Sequence, residues 1–208
     1  MVGARVTRPH PTAGDGRAAA PAPGPVGVLA LQGDFARHAA ALTRAGLESR
    51  EVRRPEELES LSGLILPGGE STTYLKFFDR EEGWKESLTR FAESGKPVLA
   101  TCAGLILLAS GVENPSQPSL GVIDVDVVRN AYGRQLDSFV GTATAKDGKP
   151  VEAVFIRAPK ISRVGPGVEV LVREGEDPVL VREDNVYGAT FHPELSTDSA
   201  LHRQIFGA

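Results

Sequence analysis

The 208-residue sequence predicts an α/β fold, a three-layer α/β/α sandwich around a mixed, mainly parallel sheet. Three observations predict it. Short runs without polar alternation, at Val26–Leu31, Leu64–Leu66 and Val98–Thr101, read as strands buried on both faces. Segments with apolar residues at helical spacing separate these runs, and the connections are short. Beyond residue 120 strand-like stretches follow one another, punctuated by Gly and Pro as in Gly165-Pro166-Gly167, which makes the second half partly antiparallel.

Taken in order, the first run ends at Gln32-Gly33-Asp34. Phe35, His38, Ala39, Leu42 and Ala45 then recur at helical spacing, and Gly46 is a natural stop. Ser49–Arg53 reads as a second strand. Pro55–Ser60 reads as a short helix with Pro55 in its first turn, where a missing N–H is harmless. Leu64–Leu66 is closed by Pro67-Gly68-Gly69, with a helix beginning near Thr73. Trp84, Leu88 and Phe91 share a helical face that leads through Gly95 to Val98–Thr101. After Cys102 a short apolar helix runs to Ala109. Further strands are expected at Leu120–Val128, Val140–Ala145, Val151–Ile156, Val168–Val172, Val179–Val181 and Val186–Thr190. Leu201 and Ile205 at i, i+4 place a closing helix within Thr197–Phe206.

Residues 1–25 differ in kind. They hold six Ala, five Pro and four Gly with no aromatic residue, too little to bury against, and are expected to be a disordered tail before a single domain at 26–208. That tail lacks the continuous apolar core of a secretory signal, so a cytoplasmic location is the default expectation. Lys plus Arg number 23 against 27 Asp plus Glu, a net charge of −4, which offers no cationic field for nucleic acid. The longest uncharged stretch, Pro97–Val112, is 16 residues and contains Pro, Thr, Ser and Gly, whereas a membrane span needs about 20 mainly apolar ones. One cysteine excludes a disulfide framework and a multi-cysteine zinc site, and the four scattered histidines suggest neither a metal nor a cofactor.

Thr101-Cys102-Ala103-Gly104 stands where a buried strand turns into a helix. This is the setting of a nucleophile elbow, and the small Ala103 and Gly104 suit its crowded backbone. Position alone leaves two readings open, a nucleophile or a buried structural cysteine. Phe191-His192-Pro193-Glu194 follows a strand directly. In extended backbone His192 and Glu194 would project to the same side, so that the carboxylate could fix the tautomer of the ring. An incidental loop histidine is the bland alternative. A parallel sheet would bring both segments to one carboxyl edge. Pro67-Gly68-Gly69-Glu70-Ser71-Thr72-Thr73 offers backbone N–H groups that suit an oxyanion, although Ser71 or Thr72 could serve only as a helix cap. No Gly-Lys-Ser/Thr ending follows, so this is no P-loop. His10 lies in the tail, His38 reads as a packed core residue and His202 as decoration of the last helix.

Together these residues look like a class I, triad-type glutamine amidotransferase, with its flavodoxin-like layering and Cys102, His192 and Glu194 as the triad. Within that superfamily, six segments resemble the glutaminase subunits of pyridoxal 5′-phosphate synthase. They are Val28-Leu29-Ala30-Leu31-Gln32-Gly33, the Pro67–Thr73 loop, Thr101-Cys102-Ala103-Gly104, Arg129-Asn130-Ala131-Tyr132-Gly133-Arg134-Gln135, Phe155-Ile156-Arg157-Ala158-Pro159 and Phe191-His192-Pro193-Glu194-Leu195. The Arg-Asn and Phe-Ile-Arg-Ala-Pro segments are the specific ones. Ala100 stands where such elbows usually have glycine, and the turn is expected to tolerate it.

The resemblance implies hydrolysis of L-glutamine through a cysteine thioester, without cofactor or metal. It implies that Gly69, Glu70, Ser71, Arg129, Ile156 and Arg157 contact glutamine, that N–H groups of Gly68, Gly69 and Ala103 hold the oxyanion, and that ammonia passes to a synthase subunit in a hetero-oligomer. Glutaminase subunits serving histidine or purine synthesis, and a cysteine-elbow hydrolase or stress protein of similar fold, stand as alternatives.

Overall fold

In the computed structural model, residues 24–129, 131 and 138–207 are described. The expected tail therefore lies almost wholly outside them, as does most of the Arg129–Gln135 segment. The first half alternates as anticipated. It comprises β1 (Val26–Leu29), α1 (Phe35–Arg44), β2 (Ser49–Val52), a 3₁₀ turn at Pro55–Ser60, β3 (Gly63–Leu66), α2 (Ser71–Arg80), α3 (Trp84–Glu93), β4 (Val98–Thr101) and α4 (Ala103–Leu108). Strands then dominate: β5 (Ala109–Glu113), β6 (Ile123–Val128), β7 (Phe139–Ala145), β8 (Pro150–Phe155), β9 (Lys160–Val164), β10 (Glu169–Glu174), β11 (Asp177–Glu183) and β12 (Val186–Ala189). A turn at Pro193–Leu195 leads to α5 (Ala200–Phe206).

Nine strands form one mixed sheet in the order β2-β1-β3-β4-β12-β11-β10-β7-β8. The first five are parallel, and the rest join antiparallel through β11. The apolar runs alternate in which face they serve. Val26, Val28, Ile65 and Leu99 pack with Leu42 of α1 and Ile205 and Phe206 of α5. Leu64, Leu66, Val98 and Ala100 point the other way, to the cluster that includes Tyr74, Trp84, Leu88, Phe91 and the whole apolar length of α4. Helices thus cover both faces of β1, β3 and β4, which is why those strands carry no polar alternation.

Two strands went unread in the sequence. β5 and β9 flank β6 in a separate three-stranded sheet. Ser110 and Gly111 in one, and Arg163 in the other, hide them from a hydrophobicity pattern, and only pairing with the alternating β6 makes them strands. β6 also begins later than Leu120. The N–H groups of Leu120 and Val122 instead close the end of α4 by donating to the carbonyls of Leu107 and Leu108 at 2.7 and 2.8 Å. The last helix starts at Ala200 rather than Thr197, because Arg44 of α1 holds the preceding loop through the Ser196 carbonyl and the Ser199 hydroxyl.

Candidate active site

The neighbouring parallel strands β4 and β12 end side by side. Ala189 pairs with Thr101, and the Cys102 N–H donates to the Ala189 carbonyl at 2.8 Å. Cys102 then takes φ 46° and ψ −102°, a conformation that a side chain adopts only under strain of about 1–3 kcal/mol. That turn is the elbow. Gly104 is required two residues on, since a Cβ there would run into the Leu66 backbone carbonyl. Ala100 is accommodated: it is fully buried in the apolar cluster that includes Leu66 and Leu105.

His192 leaves the end of β12 with its N–H on the Val154 carbonyl at 2.8 Å. Its Nδ1 lies 2.7 Å from Glu194 Oε1. The expected pairing is present, but its geometric cause differs. Pro193–Leu195 is a 3₁₀ turn rather than extended backbone, with Pro193 in the first turn, and the turn folds Glu194 back beneath the ring. The same imidazole lines one cavity with Cys102, near enough for the cysteine to act on its pKa. Gly68 fits between the two, and a Cβ on it would stand 2.5 Å from His192 Cε1 and 3.5 Å from Cys102 Cβ.

Burial works to lower the His192 pKa, but the Cys102 and Glu194 contacts outweigh it and raise it to about 10. Burial likewise favours a neutral Glu194, yet the rings of His38 and His192 on either side hold its carboxyl below the ordinary range. Because Glu194 takes the Nδ1–H, the ring presents Nε2 as the nitrogen free to exchange a proton with sulfur.

The glycine loop closes one wall. The Gly68 carbonyl accepts from the Asp34 N–H at 3.3 Å, and Gly69 has φ 149°. Gln32 grips the next residue, its Oε1 accepting from the Glu70 N–H at 3.1 Å and its Nε2 donating to the Glu70 carbonyl at 3.4 Å. Any side chain at Gly69 would strike this amide. The residue capping α2 is Glu70, not Ser71 or Thr72: Glu70 Oε1 accepts from the Thr72 N–H and hydroxyl and from Arg129 Nη2 at 3.1 Å. The buried Ser71 hydroxyl donates to Gln117 Oε1 at 2.8 Å.

Gly69, Glu70, Ser71, Arg129, Ile156 and Arg157 all line one cavity of about 330 Å³, with Cys102 and His192 at its floor. That volume is at the small end of ligand sites. Ala103 opens α4 beside the cysteine, and Glu194 lies behind His192 rather than on the wall. Asp34, Ile106 and Pro159 complete the lining. Asp34, His192 and Glu194 bring one donor atom each within 4.8 Å of one another. The 2.7 Å contact inside that group is a proton-sharing pair, so the grouping is better suited to a proton than to an ion.

Sequence reasoning passed over Gln32, Asp34 and Gln117. The first two directly follow β1 at the carboxyl edge where such sheets place their sites, and that position was the available signal. Gln117 carries no signature at all. His202 is not surface decoration: it is fully buried against His38, with His202 Nε2 3.0 Å from His38 Nδ1.

A family model described as the SNO glutamine amidotransferase family matches residues 28–207. The chain belongs to that family. The pyridoxal 5′-phosphate synthase subunit PdxT of Thermotoga petrophila is 50% identical over 182 residues, covering 86% of this chain and 95% of that protein. The protein of the same name from Thermus thermophilus is 52% identical with the same coverage. A solved structure described as a glutamine amidotransferase superposes with a TM-score of 0.82 at 47% identity, covering 89% of this chain and all of the other. The α/β architecture of class I glutamine amidotransferases is therefore that of this chain. Among the described residues no helix is long and apolar enough to cross a membrane.

Proposed function

We propose that this member of the family is the glutaminase subunit of a pyridoxal 5′-phosphate synthase, hydrolysing L-glutamine and handing ammonia to a synthase subunit. The relatives that carry this name at half identity support the assignment. The observation that carries the chemistry is the 2.7 Å contact of His192 with Glu194 on a ring that shares one cavity with Cys102. His192 Nε2 takes the thiol proton, and the sulfur attacks the side-chain amide carbon of glutamine. N–H groups of Gly68, Gly69 and Ala103 receive the oxyanion, each such donor contributing about 3 kcal/mol. As the C–N bond breaks, His192 returns the proton to the leaving nitrogen. It then deprotonates a water that attacks the thioester, and glutamate leaves as the sulfur is released.

Glutamine is a zwitterion, and the wall offers both signs. Arg129 and Arg157 suit its α-carboxylate, and Glu70 and Asp34 suit its α-ammonium. The reading implies low turnover alone and stimulation by the synthase subunit, whose docking would complete the oxyanion loop. The test is glutaminase turnover of the chain and of Cys102→Ala, each with and without the synthase subunit. Turnover lost in the variant and raised by the partner is expected. A reactive glutamine analogue should label Cys102, and labelling of any other residue, or full activity in Cys102→Ala, overturns the proposal.

A further inference from the structure

Behind Glu194 the chain buries two more imidazoles that the reaction, as derived so far, does not use. His38 on α1 and His202 on α5 are both fully buried. His202 Nε2 meets His38 Nδ1 at 3.0 Å. His38 Nε2 stands 3.2 Å from Glu194 Oε2 and 3.3 Å from Thr101 Oγ1. Among the described residues neither Glu194 Oε2 nor His202 Nδ1 makes a hydrogen bond: as the rings stand, His38 Nε2 bonds Thr101 Oγ1 and approaches Glu194 Oε2 without bonding it. A line of contacts thus runs from Cys102 through His192, Glu194 and His38 to a dead end at His202.

The dead end sets the direction of the line. If His202 carries its proton on Nε2, that proton goes to His38 Nδ1, and His38 must carry its own on Nε2, facing the carboxylate. The only atom left over is then His202 Nδ1 as a lone pair. The opposite order would leave an orphaned N–H on His202 and would press the His38 lone pair against Glu194 Oε2 at 3.2 Å. An unsatisfied buried donor and a repulsive contact are both costly, so one order is favoured. A small rotation of the His38 ring lets the same N–H serve either Thr101 Oγ1 or Glu194 Oε2.

We propose that His38 is a positioning residue for the glutaminase reaction: its Nε2–H, oriented by His202, holds the outer oxygen of Glu194 and so aims the inner oxygen at His192. The inference rests on the glutaminase reading for its effect on rate, though not for the tautomers themselves. Burial supports a neutral donor, since it lowers the pKa of His38 and takes that of His202 down to about 3. The charged and titratable groups around His38 are Glu194 of the Pro193–Leu195 turn, His192 at the end of β12, Asp34 ahead of α1 and His202 of α5, while Arg44 acts on His202.

Two measurements test it. In the free, full-length chain, ¹⁵N NMR of the imidazoles is expected to show both His38 and His202 neutral and protonated on Nε2 between pH 6 and 8. Protonation of either ring on Nδ1, or a cationic ring in that range, overturns the proposal whatever the enzyme does. In the complex with the synthase subunit, His38→Leu is expected to lower kcat about tenfold with little change in KM. It should also move the acid limb of the kcat/KM profile to higher pH, because Glu194 then protonates more readily. His38→Gln, whose amide can reach the Nε2 position as a donor, is expected to recover most of the rate. A folded His38→Leu with the wild-type rate and profile overturns the proposal, as does His38→Gln that is no faster than His38→Leu when both melt cooperatively. If His38→Leu does not fold, the tautomers and the His38→Gln profile decide. Absence of glutaminase activity in the wild-type complex would instead fail the reading of function.

Discussion

The two halves of the large sheet do different work. The parallel half, β2-β1-β3-β4-β12, has helices over both faces of its inner strands and supplies Cys102 and His192 from adjacent strand ends. The antiparallel half keeps one face half-exposed, and β8 leads into Ile156 and Arg157 on the cavity wall. Arg129 comes from the end of β6 in the small sheet. The proposed reacting groups thus stand just past the ends of buried strands, where packing limits their positions, and the wall proposed to meet the rest of glutamine comes from edges and loops. The lesson is that the rate should be sensitive to the first region and affinity to the second.

The comparison breaks most visibly at Glu194. Glu194→Gln keeps the shape of the turn but removes the charge facing His192 Nδ1, and kcat in the complex should fall by about 10³- to 10⁴-fold. KM should change little. A variant within tenfold of wild type would mean that the carboxylate does not set the state of the ring.

Next in size is the core beneath the elbow. Leu99 is fully buried in β4 among Val28, Ile65 and Phe206. Leu99→Ala should cost about 2–5 kcal/mol in denaturant unfolding. Val140, 69% exposed on β7, is the contrast, and Val140→Ser should stay within about 0.5 kcal/mol of wild type. Equal losses at both sites would erase the distinction between the halves.

The wall is sharpened by its arginines. Arg129→Ala and Arg157→Ala should each raise KM about 10- to 100-fold while leaving kcat largely intact, the worth of a charge-assisted contact with a carboxylate. A fall in kcat at constant KM would move these residues from the binding wall to the reacting group.

How much of this could be read beforehand follows the same division. β1, β3 and β4 were legible because burial on both faces leaves an unbroken apolar run, and β4 was read residue for residue as Val98–Thr101. The turn at Cys102 was legible because an elbow needs small neighbours, while His192 stood out only beside it and through the family resemblance. β5 and β9 were not, since their Ser, Gly and Arg positions become strand only by pairing with β6. His202 was missed because one histidine on a seven-residue helix shows no face until α5 is laid against α1. The 3₁₀ turn at Pro193–Leu195 had a signal in Pro193, which reads equally well as the end of a strand.

The most gradual effect expected is on stability against pH, and it separates the groups around Glu194 by sign. His202 is held neutral, its pKa taken down to about 3 by burial first and by the nearby His38 ring. Unfolded, it binds a proton from about pH 6.5 downward, so stability is lost as pH falls through that window, by at most about 1.4 kcal/mol per unit for each such proton. His38, also lowered by burial, adds to the same loss, as does Glu194, whose lowered carboxyl stabilises the fold only while ionised. His192 runs the other way. Raised to about 10 against 6.5 unfolded, its contribution is whole below pH 6.5 and fades as pH climbs toward 10. Chemical denaturation across pH 4–10 should therefore give a maximum near neutrality with slopes on both sides. In His202→Leu the acid slope should be shallower and the alkaline slope unchanged. An unaltered acid slope in that variant would mean that His202 titrates in the fold as freely as it does in the unfolded chain, and the buried pair behind Glu194 would lose its claim to neutrality.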